Sequence, residues 1–308
     1  MRTENDVFTA KDKTRLRSMI WVPDQEPKYI LQIVHGMTEH IGRYEEMAEE
    51  LTKQGIVVAG YDLRGHGMCD KDSNCATMGE KGWSSSLDDI EAFNRMLMDR
   101  YPGIPVVIMG FSLGSFLLRD YLCSYPCRAD AVIIAGSGDQ PGGMLSVLKF
   151  LISRQIRKYG FDNATPLVRK LSFEMYNNKF KPVRTKCDWL CSDTVQIDRY
   201  LKDDLCKEDI SAGLFWGLLD AMHRTGKITE FEKWNKEIPV LLISGKCDPV
   251  GDFGKGTERL EKKMNQAGIK KVRVKLLPHS RHDFLHEYQN GEMQEGIETI
   301  QKFIKTYK

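Results

Sequence analysis

The sequence predicts an α/β protein: a doubly wound, mostly parallel sheet with a helical segment inserted late in the sheet. Three observations predict it. Short, continuously apolar runs recur along the chain, amphipathic helical patterns separate them, and the stretch 137–236 interrupts the alternation without a clear strand. With 308 residues, 41% of them hydrophobic, the chain can bury the core of one large domain. A formal net charge of +2 gives no electrostatic reason to expect nucleic acid as a partner.

The runs KYILQIV (28–34), IVVAGY (56–61), PVVIMG (105–110), AVIIAG (131–136), PVLLISG (239–245) and KVRVKLL (271–277) read as strands. Most are apolar throughout, as strands covered on both faces should be. Between them, SLDDIEAFNRMLMDRY sets Leu87, Ile90, Phe93, Leu97 and Tyr101 on one helical face, with Ser84 to Ser86 as candidate caps. YEEMAEELTKQG, LGSFLLRDYLCSY and GTERLEKKMNQAG read as further crossover helices, the first closed by Gly55 and the last by Gly268. The expected organisation is a core in two parts, 1–136 and 237–308, with 137–236 as a helical cap between them. Ligands of such sheets bind beyond the carboxyl ends of the strands.

One of those ends reads GFSLG. A serine on a sharp strand-to-helix turn is held with its hydroxyl lifted above the sheet edge, and glycines two before and two after let strand and helix approach closely. Gly110, Ser112 and Gly114 fit that pattern between the strand PVVIM and the helix LGSFLLRDYL. A serine hydroxyl is a weak nucleophile at neutral pH and needs a base and a group that orients the base. Asp248 follows the run PVLLIS and His282 follows KVRVKLL, giving the chain order Ser112, Asp248, His282. Asp252 and Asp139 are rivals for the acid, and His279 and His286 flank the base; both histidines read as surface or packing residues. Two backbone N–H groups would serve a developing oxyanion, those of Leu113 after the serine and Met37 in the loop HGMTEHIGRY. His35 in that loop reads as a buried brace.

The pieces HGMTEHIGRYEEMAEEL, YDLRGHGMC, GFSLGS, SGKCDPVG and SRHDFLHE together resemble the α/β-hydrolase fold enzymes of the monoacylglycerol lipase and bacterial lysophospholipase group, which are related to serine aminopeptidases. The resemblance runs from about Ile33 to Glu287, and DWLCSDTVQIDRYLKDDLC is similar to the cap of bacterial members. It implies a nucleophile at Ser112, an acid at Asp248, a base at His282 and oxyanion donors at Met37 and Leu113. Two positions depart from the family pattern: Phe111 stands where many relatives carry histidine, and Ser115 where glycine or alanine is frequent.

The expected activity is carboxylic-ester hydrolysis on acyl lipids, a monoacylglycerol or a lysophospholipid, without a cofactor. The alternatives are an aminopeptidase-like hydrolase, against which a basic cap argues, and a non-catalytic binding module on the same fold. A metal reading of HDFLH lacks the glutamate of the zinc helix signature. The pairs Cys123/Cys127 and Cys187/Cys191 have no flanking histidine, so no metal is expected and the eight cysteines read as reduced thiols. From Leu145 to Lys186 ten basic residues face only Asp162 and Glu174. That composition reads first as an apolar face on the active-site mouth with a solvated basic face, and second as transient contact of the cap with a membrane surface. The N-terminus carries acids where a secretory signal would be apolar, so a cytoplasmic protein is expected.

Overall fold

The computed structural model describes residues 1–70, 73–126 and 128–306. Eight strands form one sheet: β1 (Arg2–Thr9), β2 (Arg15–Val22), β3 (Tyr29–Val34), β4 (Ile56–Tyr61), β5 (Val106–Phe111), β6 (Ala131–Ala135), β7 (Val240–Gly245) and β8 (Val272–Leu277). Their spatial order is β1-β2-β4-β3-β5-β6-β7-β8, parallel from β4 to β8 and antiparallel where β2 meets β1 and β4. The chain thus turns back at β3, which lies between β4 and β5. The loops after β3 and β5 meet at that reversal, where sheets of this kind leave a crevice.

The apolar runs are strands because their alternate residues supply two cores. In β3, Ile30 and Val34 join one core and Leu31 and Ile33 the other; in β5, Val106 and Ile108 oppose Val107, Met109 and Phe111. Helices α2 (Gly82–Arg100) and α3 (Leu113–Ser124) cover the first face, and α1 (Glu45–Thr52) with the C-terminal helix α8 (Glu292–Thr306) the second. Gln32 interrupts the first core but is satisfied: its amide donates to Ile90 O at 3.1 Å and accepts from Asn94 at 2.9 Å.

Two features differ from the sequence reading. The N-terminal residues form the hairpin β1–β2, whose edge strand is mostly exposed and so lacks the apolar run that marks the inner strands. And α2 begins at Gly82, ahead of Ser84 to Ser86, which lie inside it; Ser84 Oγ donates to Lys81 O and Ser86 Oγ to Gly82 O instead of capping.

Between β6 and β7 run α4 (Gly142–Tyr159), short helical turns from Pro166 to Phe180, α5 (Thr194–Lys202), α6 (Ala212–Thr225) and a turn at Ile228–Phe231. A two-residue strand, Asp209–Ile210, pairs with Cys75–Ala76 of the core. Helix α6 packs on both α4 and α3, so this segment is rooted in the core as well as lying over it. After β7, α7 (Lys255–Gln266) leads to β8. Seven cysteines are free thiols, and Cys127 lies outside the described residues.

Candidate active site

Strand β5 ends at Phe111 and α3 begins at Leu113, leaving Ser112 alone on the turn with φ 50° and ψ −118°. A non-glycine residue there is strained by about 1–3 kcal/mol, and its neighbours must hold it. Ser112 N–H donates to Ala135 O at 3.0 Å, and Ser115 Oγ donates to Ser112 O at 2.6 Å. Ser115, one of the two departures noted above, therefore braces the turn. The flanking glycines are required sterically. A Cβ on Gly110 would lie 2.3 Å from Gly114 O, and one on Gly114 would lie 1.9 Å from Val34 O.

His282 Nε2 lies 2.8 Å from Ser112 Oγ. Its other ring nitrogen, Nδ1, is 3.0 Å from Asp248 Oδ1, approached obliquely; all three atoms belong to different loops at the carboxyl ends of β5, β7 and β8. Asp248 is fully buried and held in place, accepting from Val250 N–H at 2.8 Å on Oδ1 and from Ser244 Oγ at 3.0 Å on Oδ2. Burial opposes charge on His282, but the Asp248 carboxylate beside it outweighs that, so the imidazole pKa stands above its ordinary value. The His282 ring lies between Phe111 and Trp189, each with its ring centre 5.1 Å away. Phe111, the other departure, thus supplies a wall for the base. Gly136 leaves room for both: with φ 56°, its Cβ would lie 2.8 Å from Phe111 and 3.1 Å from His282.

The rivals are placed elsewhere. Asp139 pairs with Lys263 at 2.8 Å and Asp252 with Arg259 at 2.9 Å. His279 is exposed, while His286 packs against Asp283 and the Arg43 carbonyl.

Met37 and Ser112 line one cavity. Leu113 opens α3, so its N–H is among the helix's unpaired first-turn donors. The loop carrying Met37 is braced as expected: His35 accepts from Leu63 N–H on Nε2 at 2.8 Å, its Nδ1 meets Gly36 O at 2.7 Å, and burial lowers its pKa, keeping it neutral. Phe111, Phe173, Trp189 and Leu190 make much of the cavity wall apolar.

Sequence reasoning missed the polar side of this cavity. Buried Glu39 accepts from Gly36 N–H at 2.6 Å, Tyr44 OH at 2.8 Å and Arg43 at 2.5 Å, and Arg43 also donates to Asp283 at 2.8 Å. Burial disfavours charge on Arg43, but Asp283 and Glu39 outweigh it and hold the guanidinium protonated. Burial likewise works against the Asp283 carboxylate, yet His286 and Arg43 keep its pKa well below the usual range. The spacing of Glu39 and Arg43 four apart was visible; that Asp283 would meet them was not, because it lies 240 residues away.

His40, Asp203 and Cys206 bring three donor atoms within 4.8 Å of one another. Gly42 N–H donates to His40 Nδ1, so Nε2 carries the hydrogen toward Asp203 at 2.9 Å, and burial keeps the Cys206 thiol protonated. In this structure His40 and Asp203 form a hydrogen-bonded pair beside the Cys206 thiol.

The sheet order and the serine on its turn define the class: a serine hydrolase of the α/β-hydrolase fold. Residues 25–289 match the family described as Serine aminopeptidase, S33, and the chain belongs to that family. A monoglyceride lipase homolog from Monkeypox virus is 33% identical over 238 residues, covering 75% of each chain. A monoacylglycerol lipase from Mycolicibacterium smegmatis is 27% identical over 129 residues, 42% of this chain and 45% of the relative. Among solved structures, a thermostable carboxyl esterase from Bacillus coagulans shares the fold with a TM-score of 0.90 at 24% identity, covering 100% of this chain and 99% of the esterase. Among the described residues no helix is long and apolar enough to cross a membrane.

Proposed function

We propose that the protein hydrolyses carboxylic esters of acyl lipids, a monoacylglycerol or a lysophospholipid, through Ser112, His282 and Asp248. The observation that carries this reading is the line of contacts Ser112 Oγ to His282 Nε2 at 2.8 Å and His282 Nδ1 to Asp248 Oδ1 at 3.0 Å, opening on a largely apolar cavity. Ser112 Oγ attacks the ester carbonyl while His282 Nε2 takes its proton. The carbonyl oxygen becomes an oxyanion received by the N–H groups of Met37 and Leu113. His282 then gives the proton to the departing alcohol as the C–O bond breaks, leaving an acyl ester on Ser112. Water, deprotonated by His282, attacks that ester, and the fatty acid leaves as Ser112 regains its proton. Asp248 fixes the imidazole tautomer and offsets its charge throughout. The aminopeptidase reading would need a carboxylate free to anchor an amine. The two carboxylates on the cavity wall, Glu39 and Asp283, are both engaged by Arg43.

In this reading residues 137–236 form the cap, and the protein works in the cytoplasm with transient contact to membrane surfaces. Helix α4 supports that contact: Met144, Val147, Phe150 and Leu151 are exposed, Phe150 by 62%. Arg154, Arg157 and Lys158 on the same helix have no acidic partner among the described residues, whereas Lys149 is tied to Asp220 at 2.5 Å. An exposed apolar row beside unpaired cations suits an anionic lipid surface.

Labelling with a fluorophosphonate, followed by a panel of monoacylglycerols, lysophospholipids and aminoacyl amides, tests the chemistry. Wild type should label and release fatty acid, and Ser112→Ala should do neither, with turnover lower by about 10⁶-fold. Preference for the amides would select the peptidase, and absence of labelling the binding module. Charge reversal at Arg154, Arg157 and Lys158 should slow hydrolysis on anionic vesicles while soluble-ester turnover holds; equal turnover on vesicles would end the membrane reading.

A further inference from the structure

The loop that carries Met37 holds a conformation its own sequence disfavours. Thr38 has φ 62°, in the left-handed region, where a β-branched residue is found only when its surroundings force it there. What holds it comes largely from the inserted segment. The hydroxyl of Tyr200, on α5, lies 2.8 Å from Thr38 Oγ1 and donates to the Thr38 carbonyl at 3.2 Å. The backbone N–H of Lys207, just beyond α5, donates to that same carbonyl at 3.0 Å. Thr38 Oγ1 in turn donates to Met37 O at 2.5 Å. With the Thr38 hydrogen committed to Met37, the single Tyr200 hydrogen is shared between Thr38 Oγ1 and the Thr38 carbonyl.

Tyr200 is itself fixed. The Arg43 guanidinium lies 4.9 Å from the centre of its ring, and Arg43 is pinned by Glu39 and Asp283. Burial holds the phenol well above its ordinary pKa, so its hydroxyl stays protonated through any neutral assay. Three residues after Tyr200, Asp203 meets His40 of the same loop at 2.9 Å, seating the end of α5 on the core.

We propose that Tyr200 is a positioning residue whose hydroxyl latches the strained Thr38 turn, so that Met37 N–H is aimed at the oxyanion only while α5 is seated. The proposal rests on the reading of Met37 as an oxyanion donor and deepens it. Met37 O is held by the Thr38 hydroxyl, so a Thr38 that relaxes to negative φ releases Met37 and lets its N–H turn away from Ser112. An oxyanion donor acts on the transition state and not on the bound ester, so the loss falls on kcat.

The test is a double-mutant cycle on the full chain with a soluble short-chain p-nitrophenyl ester. Tyr200→Phe should lower kcat by about tenfold or more, below the 10²–10³ of losing a donor outright, with KM within about twofold. Thr38→Gly gives a residue that takes positive φ without penalty. In that background, whatever it does alone, adding Tyr200→Phe should lower kcat by less than about twofold. An unchanged kcat in Tyr200→Phe, a change in KM alone, or an equal kcat loss in both backgrounds would overturn the proposal. A general loss of stability from the phenylalanine would appear equally in both backgrounds and so counts against it. The underlying reading fails in a different way: wild type that does not label at Ser112 removes the oxyanion chemistry altogether, whereas wild type that labels beside an unaffected Tyr200→Phe refutes only the latch.

Discussion

At the scale of single residues, the proposed mechanism makes the pH response of this enzyme depend on His282 as its base. It must be neutral to accept the Ser112 proton, and the Asp248 carboxylate raises its pKa above the ordinary value of about 6.5. Activity should therefore fall as pH falls, with the acid limb of kcat/KM on a soluble ester centred above about 6.5. Asp248→Asn removes the charge that raises it, so the limb should move to lower pH while kcat drops by about 10⁴-fold. A limb that stayed put would mean that Asp248 does not set the base. Two further missed residues of the same neighbourhood, Tyr200 and Trp189, carried no readable signal. An aromatic side chain in a helical insertion is usually core, and only the seating of the insertion brings Trp189 against His282 and Tyr200 against Thr38.

At the scale of elements, the strand-to-helix turn and the inserted helix α4 make opposite demands on glycine. Gly114 sits where α3 crosses Val34, and a Cβ there would overlap the Val34 carbonyl at 1.9 Å. Gly114→Ala should destabilise the fold by about 3 kcal/mol or more, since backbone on both sides must shift. Gly143, in the first turn of α4, has nothing within 4 Å of where its Cβ would be. Gly143→Ala should be neutral to stabilising by up to about 1 kcal/mol. Urea midpoints for the two variants check both, and a similar midpoint shift would mean that the turn is not closely packed. The insertion is also uneven along its length. Its α5 end is tied to the core through His40–Asp203 and Tyr200–Thr38, whereas α4 leaves Val147 and Phe150 facing solvent. The basic count of the insertion overstated its free charge, because Lys149, Arg169, Arg184 and Lys186 each meet an acid, among the described residues.

At the scale of the whole molecule, one buried ionic network joins the loop after β3 to the loop after β8 and touches the insertion. Arg43 bonds Glu39 and Asp283 and lies over Tyr200. Removing one member should leave an uncompensated buried charge, so Asp283→Asn should destabilise by about 3–5 kcal/mol near neutral pH. The Asp283 pKa is depressed in the folded protein, so its contribution is present above the unfolded value of about 4 and lost as pH falls below it. The gap between wild type and Asp283→Asn, measured by chemical denaturation, should be constant above about pH 5 and narrow below about pH 4; a constant gap down to pH 3 would show that the carboxylate is not what stabilises. The local pattern of the chain encodes the parallel sheet, through apolar runs that alternate between two cores. It also encodes the Gly-x-Ser-x-Gly turn, since only glycine fits between β3, β5 and α3, and the order of Ser112, Asp248 and His282 along the chain. These are local patterns, fixed by steric fit and periodicity over a few residues. Folding sets which groups meet across long separations: Asp283 with Arg43, Tyr200 with Thr38, Trp189 with His282, and β1 as the exposed edge. Such contacts depend on how loops and the insertion are seated, and no short-range pattern in the chain encodes that.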